Sequence, residues 1–126
     1  MTDLTALKYT DQHEWLLVEG DVVTVGITDY AAGQLGDVVF VELPEVGATV
    51  QAGTVVCEVE STKSVGEVYA PANGEVVERN DAVIDTPELL NGDAFSAWLF
   101  KLRVDDPSVF ENGGFLTRDQ YTALEA

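Results

Sequence analysis

Val55-Val56-Cys57-Glu58-Val59-Glu60-Ser61-Thr62-Lys63-Ser64-Val65-Gly66-Glu67-Val68-Tyr69-Ala70 is the stretch that decides the fold. Its two Val-rich runs, Val55–Glu60 and Val65–Ala70, read as strands, and the short hydroxylated tip Ser61-Thr62-Lys63-Ser64 between them reads as the turn of a hairpin. The lysine at that tip stands out. From Tyr9 through Glu78 the chain carries 13 carboxylates and no Lys or Arg except Lys63. Lys8 and Lys101 are the remaining lysines. An isolated cation in an acidic run either pairs with a carboxylate or serves as a handle for covalent modification. A protruding turn suits the second use, because the ammonium rides on a flexible stem and a modifying enzyme can grip the backbone on both sides. The plain alternative is a solvated turn lysine, and the residues of the hairpin alone leave both readings open.

Outward from the hairpin, most of the chain reads as short strands punctuated by Gly, Pro, Asn and Asp. Trp15–Val18 and Val22–Val25 flank the turn signal Glu19-Gly20-Asp21, Val38–Leu43 ends at Pro44, and Trp98, Phe100, Leu102 and Val104 alternate with Leu99, Lys101 and Arg103. Helical signals are few. Thr28 can N-cap a short helix from Asp29 to Leu35, with Gly36 as its stop. Near the C-terminus, Thr117-Arg118-Asp119-Gln120 has capping-box spacing, and Leu116 with Tyr121 can form a hydrophobic staple. The expected fold is mostly β, with small helices near the N-terminal third and at the C-terminus. A weak internal repeat accompanies it: Gly47-x2-Val50-x2-Gly53-x2-Val56 recurs 27 residues later as Gly74-x2-Val77-x2-Asn80-x2-Val83. Asn can replace Gly where a turn needs a positive φ, so Gly53 and Asn80 are expected to play matching roles. The repeat predicts two similar β-units around the Lys63 hairpin.

Length and composition bound the function. A chain of 126 residues fits one domain, here 1–126, and a domain of that size needs no disulfide to build its core. Its 46% hydrophobic content argues against disorder despite a net charge of −17. That charge disfavours nucleic acid and anionic membranes, whose phosphates call for basic patches, and favours steering toward partners with basic docking surfaces. Cys57 is the sole cysteine, so no intrachain disulfide is possible. The start Met1-Thr2-Asp3-Leu4-Thr5 lacks the pattern of a secretory or transit signal, and no apolar run approaches a membrane span, so a cytoplasmic location is expected.

Few residues offer chemistry. Glu14, beside His13 and Trp15, and Glu67, on the strand face of Val65 and Tyr69, can each help line a groove that receives a cation; for both, the plainer reading is a solvated carboxylate. His13 is the only histidine, with no second one for a metal and no nucleophile nearby in sequence. Cys57 shares an expected face with Val55 and Val59 and reads as a core residue. There is no phosphate-binding glycine loop, zinc spacing or nucleophile elbow. No catalytic residue and no metal ligand is assigned.

At this point the motifs combine into a resemblance. Tyr9-Thr-x-x-His-Glu-Trp15, Gly26-Ile-Thr-Asp-Tyr30, Leu35-Gly-Asp-Val-Val-Phe-Val-Glu-Leu-Pro-Glu-Val-Gly47, Glu58-Val-Glu-Ser-x-Lys-Ser64 and Tyr69-Ala-Pro-x-x-Gly-Glu-Val76 follow one another in order. A looser match runs from Pro87-Glu-Leu-Leu-Asn91 through Trp98 to the C-terminal helix. The chain resembles the H-protein family of the glycine cleavage system. The resemblance implies a barrel-sandwich hybrid with N- and C-terminal extensions and lipoic acid in amide linkage to Lys63. It implies a carrier, not an enzyme, that takes the aminomethyl group of glycine from a PLP-dependent glycine decarboxylase to a tetrahydrofolate-dependent aminomethyltransferase. Dihydrolipoamide dehydrogenase would then reoxidise the arm, a lipoylating enzyme would be a further partner, and the carrier itself is expected to be a monomer. Glu14 and Glu67 become candidates for sheltering the aminomethyl group.

One departure concerns Gly66-Glu67, where the family often has a small residue and an Asp; Glu carries the charge one methylene further out. Three readings compete with the lipoyl carrier of glycine cleavage. A biotinyl carrier shares the architecture, but its lysine normally lies between methionines, whereas Thr62 and Ser64 flank Lys63. A lipoyl domain of a 2-oxoacid dehydrogenase is the second, and a non-lipoylated interaction protein of the same fold is the third.

Overall fold

A computed structural model describes residues 7–112 and 115–125, so the N-terminal stretch Met1–Thr5 lies outside the described residues. In chain order the elements are β1 (Lys8–Tyr9), β2 (Glu14–Glu19), β3 (Val22–Ile27), α1 (Asp29–Leu35), β4 (Val38–Glu42), β5 (Thr49–Val50), β6 (Val55–Ser61), β7 (Val65–Tyr69), β8 (Gly74–Arg79), α2 (Ala82–Asp85), α3 (Leu89–Gly92), β9 (Phe100–Val104), α4 (Val109–Asn112) and α5 (Arg118–Glu125). The strands form two antiparallel sheets. One has six strands in the order β1-β2-β3-β9-β8-β5, and the other has three in the order β4-β6-β7.

The expected hairpins and capped helices are present. β2 and β3 pair around a turn in which Gly20 has φ 67°, a conformation that favours glycine. Thr28 caps α1 by accepting the Ala31 N–H at 3.2 Å, and Gly36, with φ 81°, ends the helix. The α5 capping box is reciprocal: the Gln120 N–H donates to Thr117 Oγ1 at 3.2 Å, and the Thr117 N–H donates to Gln120 Oε1 at 2.9 Å. The single-turn helices α2, α3 and α4 go beyond the expected set. They lie in segments dense in Asp, Pro and Asn, where a turn and one helical turn look alike from sequence.

Half of the internal repeat has structural meaning. Val50 pairs with Gly74 and Thr49 with Glu75, so the first halves of the two copies lie antiparallel to each other. The second halves diverge. Gly53 has φ 83°, but Asn80 does not have a positive φ. Its side chain instead donates to the Trp98 carbonyl at 2.9 Å, which anchors the start of α2 to the approach of β9. Val56 lies in a strand and Val83 in a helix, so the match between Gly53 and Asn80 is corrected.

The main core lies between the sheets and includes Leu16, Val25, Val41, Val59, Val68 and Leu102. Cys57 belongs to it, and burial pushes its thiol well above the usual range. Val55 does not share that face: the β6–β7 register shifts between Val55 and Cys57, and the bulge turns Val55 outward. A second, smaller cluster of Leu7, Tyr9, Trp15 and Tyr121 covers the far side of the larger sheet. Here Trp15 donates its indole N–H to the Ala94 carbonyl at 3.1 Å and lies flat enough on Gly26 that a Cβ there would fall 2.5 Å from its ring. Tyr9 and Leu116 exchange backbone hydrogen bonds of 2.9 and 2.8 Å, which fastens the chain entering α5 to β1. The C-terminal helix is therefore docked against the N-terminal strand, and its Tyr121 is fully buried.

Candidate functional site

The hairpin register pairs Glu60 with Val65 and leaves Ser61–Ser64 as the tip. Ser61 organises it. Its N–H donates to the Ser64 carbonyl at 2.8 Å, and its Oγ accepts the N–H groups of Lys63 at 3.3 Å and Ser64 at 3.0 Å. A hydroxyl that supplies backbone partners in this way fixes a turn that has few of its own. The Thr62 N–H donates to the Asp37 carbonyl at 3.2 Å, which ties the tip to the entry of β4.

Lys63 is exposed, and among the described residues it forms no ion pair. Other cations do pair: Arg79 with Asp81 at 2.8 Å, Lys101 with Glu78 at 3.3 Å and Arg103 with Asp21 at 3.9 Å. Lys63 is therefore not held by a carboxylate. Its stem lies over Gly36, where a Cβ would come within 3.3 Å of Lys63 Cε. Glycine at 36 thus serves two needs, the positive φ that ends α1 and room for the lysine stem. Asn91 clamps this connector from below. It donates to the Gly36 carbonyl at 2.7 Å and accepts the Val38 N–H at 2.8 Å. In the sequence Asn91 is only the end of a loosely matching stretch, since nothing local shows that its amide spans to a segment 53 residues away.

Beside the tip, α1 and β7 enclose a groove of about 350 Å³ with Ile27, Leu35, Val59 and Val68 in its apolar lining and Gln34 and Glu67 among its polar groups. Gly66 lets the helix approach, since a Cβ there would lie 3.3 Å from the Leu35 methyls. A neighbouring recess of about 540 Å³ is bordered by Thr10, Glu14, Tyr69 and Phe115, and Gln12 borders both spaces.

The two candidate carboxylates differ sharply. Glu14 is 2% exposed, so the solvated reading does not hold for it. Its carboxyl accepts the Thr10 hydroxyl at 3.1 Å on one oxygen and the Tyr69 N–H on the other. Burial outweighs these bonds and pushes its pKa up to about 7, with nearby Asp11 adding to the rise. Glu67 is exposed, accepts the Tyr69 hydroxyl at 3.3 Å, and by its charge raises that phenol. The structure does not bring the two carboxylates into one cavity. They flank Tyr69, Glu14 at its backbone and Glu67 at its ring, in adjoining spaces.

His13 borders the groove and directs Nδ1 to the Tyr121 hydroxyl at 2.8 Å. The sequence marks Tyr121 only as a staple residue, because its contacts with His13 and Thr28 lie 108 and 93 positions away along the chain. Among the described residues no group of three or more His, Cys, Asp and Glu could hold a metal, and no helix is long and apolar enough to cross a membrane.

Comparison with known proteins covers both the hairpin and its surroundings. The family model described as Glycine cleavage H-protein matches residues 7–125. A glycine cleavage system H protein of Clavibacter sepedonicus is 55% identical over 125 residues, covering 98% of each chain. One from Bradyrhizobium diazoefficiens is 50% identical over 124 residues, covering 98% of this chain and all of the relative. The crystal structure of a glycine cleavage system H protein from Mycobacterium marinum superposes with a TM-score of 0.84 at 41% identity, covering 94% of this chain and 95% of that one. The two-sheet architecture is therefore the expected barrel-sandwich fold of the lipoyl-carrier type. Because the match spans the Lys63 hairpin, the groove and the docked C-terminal helix together, the chain belongs to the glycine cleavage H-protein family.

Proposed function

We propose that this chain is the lipoyl carrier of a glycine cleavage system, a single carrier domain that acts as a cytoplasmic monomer, with lipoic acid attached by an amide to Lys63. The observation that carries this reading is an exposed, unpaired lysine on a braced tip, its stem lying over Gly36 at the end of α1, with an apolar groove between α1 and β7 beside the same hairpin. These residues fit the group. Amide formation needs an accessible ε-amine free of a carboxylate partner, and an acyl chain ending in a disulfide ring matches the apolar side chains of Ile27, Leu35, Val59 and Val68. When attached, the disulfide supplies the acceptor for the one-carbon amine released from glycine.

The chain's own part is presentation and shelter. Ser61 and the Thr62–Asp37 bond hold the tip so that Lys63 projects at a fixed place on the surface. The protein presents that lysine in turn to the lipoylating enzyme, the PLP-dependent glycine decarboxylase, the aminomethyltransferase and dihydrolipoamide dehydrogenase. Between encounters the groove excludes water from the carried aminomethyl group; Glu67, on the groove's own lining, and Glu14, in the adjoining recess, are the candidates to hold its cationic form through a charge-assisted hydrogen bond. The side chains assigned here bind and shelter, and bond making rests with the partner enzymes, so the protein is a carrier and not an enzyme.

Lys63→Arg tests the assignment. It keeps the charge and most of the stem but cannot form the amide. After expression with lipoate and a lipoylating enzyme, intact mass with fragmentation should locate the lipoyl group on Lys63 in the wild type and find none in Lys63→Arg. Lys8→Arg and Lys101→Arg should be lipoylated normally. A lipoyl group persisting in Lys63→Arg overturns the reading.

A further inference from the structure

Among the described residues one non-glycine residue has a positive φ: His13, at 67°. Histidine visits this region more readily than most residues, yet it does so at a cost that the surroundings must over-determine. Here they do. The His13 N–H donates to the Thr10 carbonyl at 3.2 Å, and its carbonyl accepts the Thr28 N–H at 3.1 Å, so its backbone is held on both sides. The ring is left facing the C-terminal helix, where Nδ1 meets the Tyr121 hydroxyl at 2.8 Å. The same hydroxyl lies 2.7 Å from Thr28 Oγ1, and Thr28 is the N-cap of α1.

One buried oxygen on α5 therefore joins two walls of the arm groove, His13 on one side and the first turn of α1 on the other. The hydrogen bonds can be satisfied in either direction. The Ala31 N–H occupies one lone pair of Thr28 Oγ1. The Thr28 hydroxyl can then donate to Tyr121 and the Tyr121 hydroxyl to His13 Nδ1, or, in the tautomer with the proton on Nδ1, the ring donates to Tyr121 and Tyr121 donates to the second lone pair of Thr28 Oγ1. His13 also rests against Tyr30 of α1, with ring centroids 5.0 Å apart, so a shift at Tyr121 reaches both walls.

Docking of α5 by itself does not need this hydroxyl. Tyr121 stacks on Tyr9 with centroids 4.9 Å apart and sits in an apolar cluster with Trp15 and Leu7, contacts that a phenylalanine would keep. The ring also meets His13 edge-on, with centroids 5.7 Å apart, a contact that phenylalanine would keep as well, so the substitution isolates the hydroxyl's bonds to His13 and Thr28.

We propose that Tyr121 is a positioning residue for the carried one-carbon group, its hydroxyl holding His13 and the N-terminus of α1 so that the groove stays closed. This rests on the reading of the groove as the shelter of the arm. The test compares wild type, Tyr121→Phe and His13→Asn as full chains, the asparagine retaining tolerance for a positive φ while losing the ring. In the unmodified protein, nitrogen-15 spectra should show the His13 ring nitrogens and the amides of Tyr30–Leu35 shifting in Tyr121→Phe, with the rest of the spectrum preserved. After lipoylation and loading from glycine, loss of the aminomethyl group with no transferase present should be roughly three- to tenfold faster in Tyr121→Phe, as expected for one buried neutral hydrogen bond. His13→Asn should behave alike, and the double variant should lose less than the product of the two effects, because both act through one contact. The same adduct on free lipoamide supplies the unsheltered rate. Unmoved His13 and α1 resonances, or a sheltered wild type with an equally sheltered Tyr121→Phe, overturn the role of Tyr121 alone. A wild type no slower than free lipoamide removes the groove as shelter, and the positioning role with it.

Discussion

Glu14 should make this protein less stable as pH rises toward neutrality, the reverse of the usual carboxylate. Most paired carboxylates have a lowered pKa in the fold and stabilise above it. Glu14 is 2% exposed and its pKa stands at about 7 against 4.5 when unperturbed. Between those values the folded chain keeps a proton that the unfolded chain releases, so stability falls as pH increases through that window and levels off above it. The span corresponds to about 3 kcal/mol as an upper bound. Glu14→Gln isolates the effect from the other carboxylates. Its amide can accept the Tyr69 N–H and donate to Thr10, the pattern that the protonated acid would make. Denaturant unfolding of both proteins from about pH 4.5 to 8 should show near-equal stability at the acid end and an advantage for Glu14→Gln that grows to about 2–3 kcal/mol by pH 8. A difference that stays constant across that range refutes the reasoning, since it would mean that Glu14 titrates alike in both states.

Gly26→Ala should cost about 2 kcal/mol or more, seen as a lowered denaturation midpoint, because the new methyl would fall 2.5 Å from the Trp15 ring, and that ring is held by its bond to Ala94. Docking to each partner should weaken with salt, since fields from a net charge of −17 are screened over ~8 Å at physiological ionic strength; Michaelis constants for the carrier as substrate should rise between low and moderate salt while turnover changes less. Loaded carrier held without transferase should release formaldehyde and ammonia roughly ten- to a hundredfold faster in Glu14→Gln or Glu67→Gln, whichever supplies the charge-assisted bond; wild-type decay in both excludes either role.

The strands and caps could be read from sequence because their causes are local. Gly20 and Gly36 mark backbone that needs a positive φ, Thr28 and Thr117 have a free N–H within three residues, and the Val-rich runs around Lys63 have strand composition. The motif around Lys63 pointed to the tip for the same reason. What stayed hidden depends on contact between distant segments. Asn91 under Gly36, Tyr121 behind His13 and the burial of Glu14 each require knowing how two sheets and a C-terminal helix meet. Asn80 shows the converse error. A pattern of spacing suggested a positive φ, but its side chain found a long-range acceptor in Trp98, and the local preference was overridden.

The smaller sheet also carries a charge arrangement that works against its own stability. Glu42 pairs with Glu58 and Glu58 with Glu67, so three carboxylates stand in register across three strands on the outer face. Like charges directly opposite in a sheet destabilise, by up to about 1 kcal/mol for each pair. The inner face offsets this, with Val41, Cys57, Val59 and Val68 each at most 2% exposed. Two residues nearer the tip, Phe40 and Val65 flank Glu60, and both remain about half exposed. A fold that keeps a costly acidic row and uncovered apolar side chains beside its exposed tip lysine departs from what stability alone would favour, and such departures gather where a surface serves association. The arrangement supports the docking part of the proposed function. A partner with a basic rim would feel the negative field before it touches Lys63, and Phe40 with Val65 would then offer apolar contact that salt does not screen. Salt should therefore slow the encounter while leaving events after docking largely unchanged.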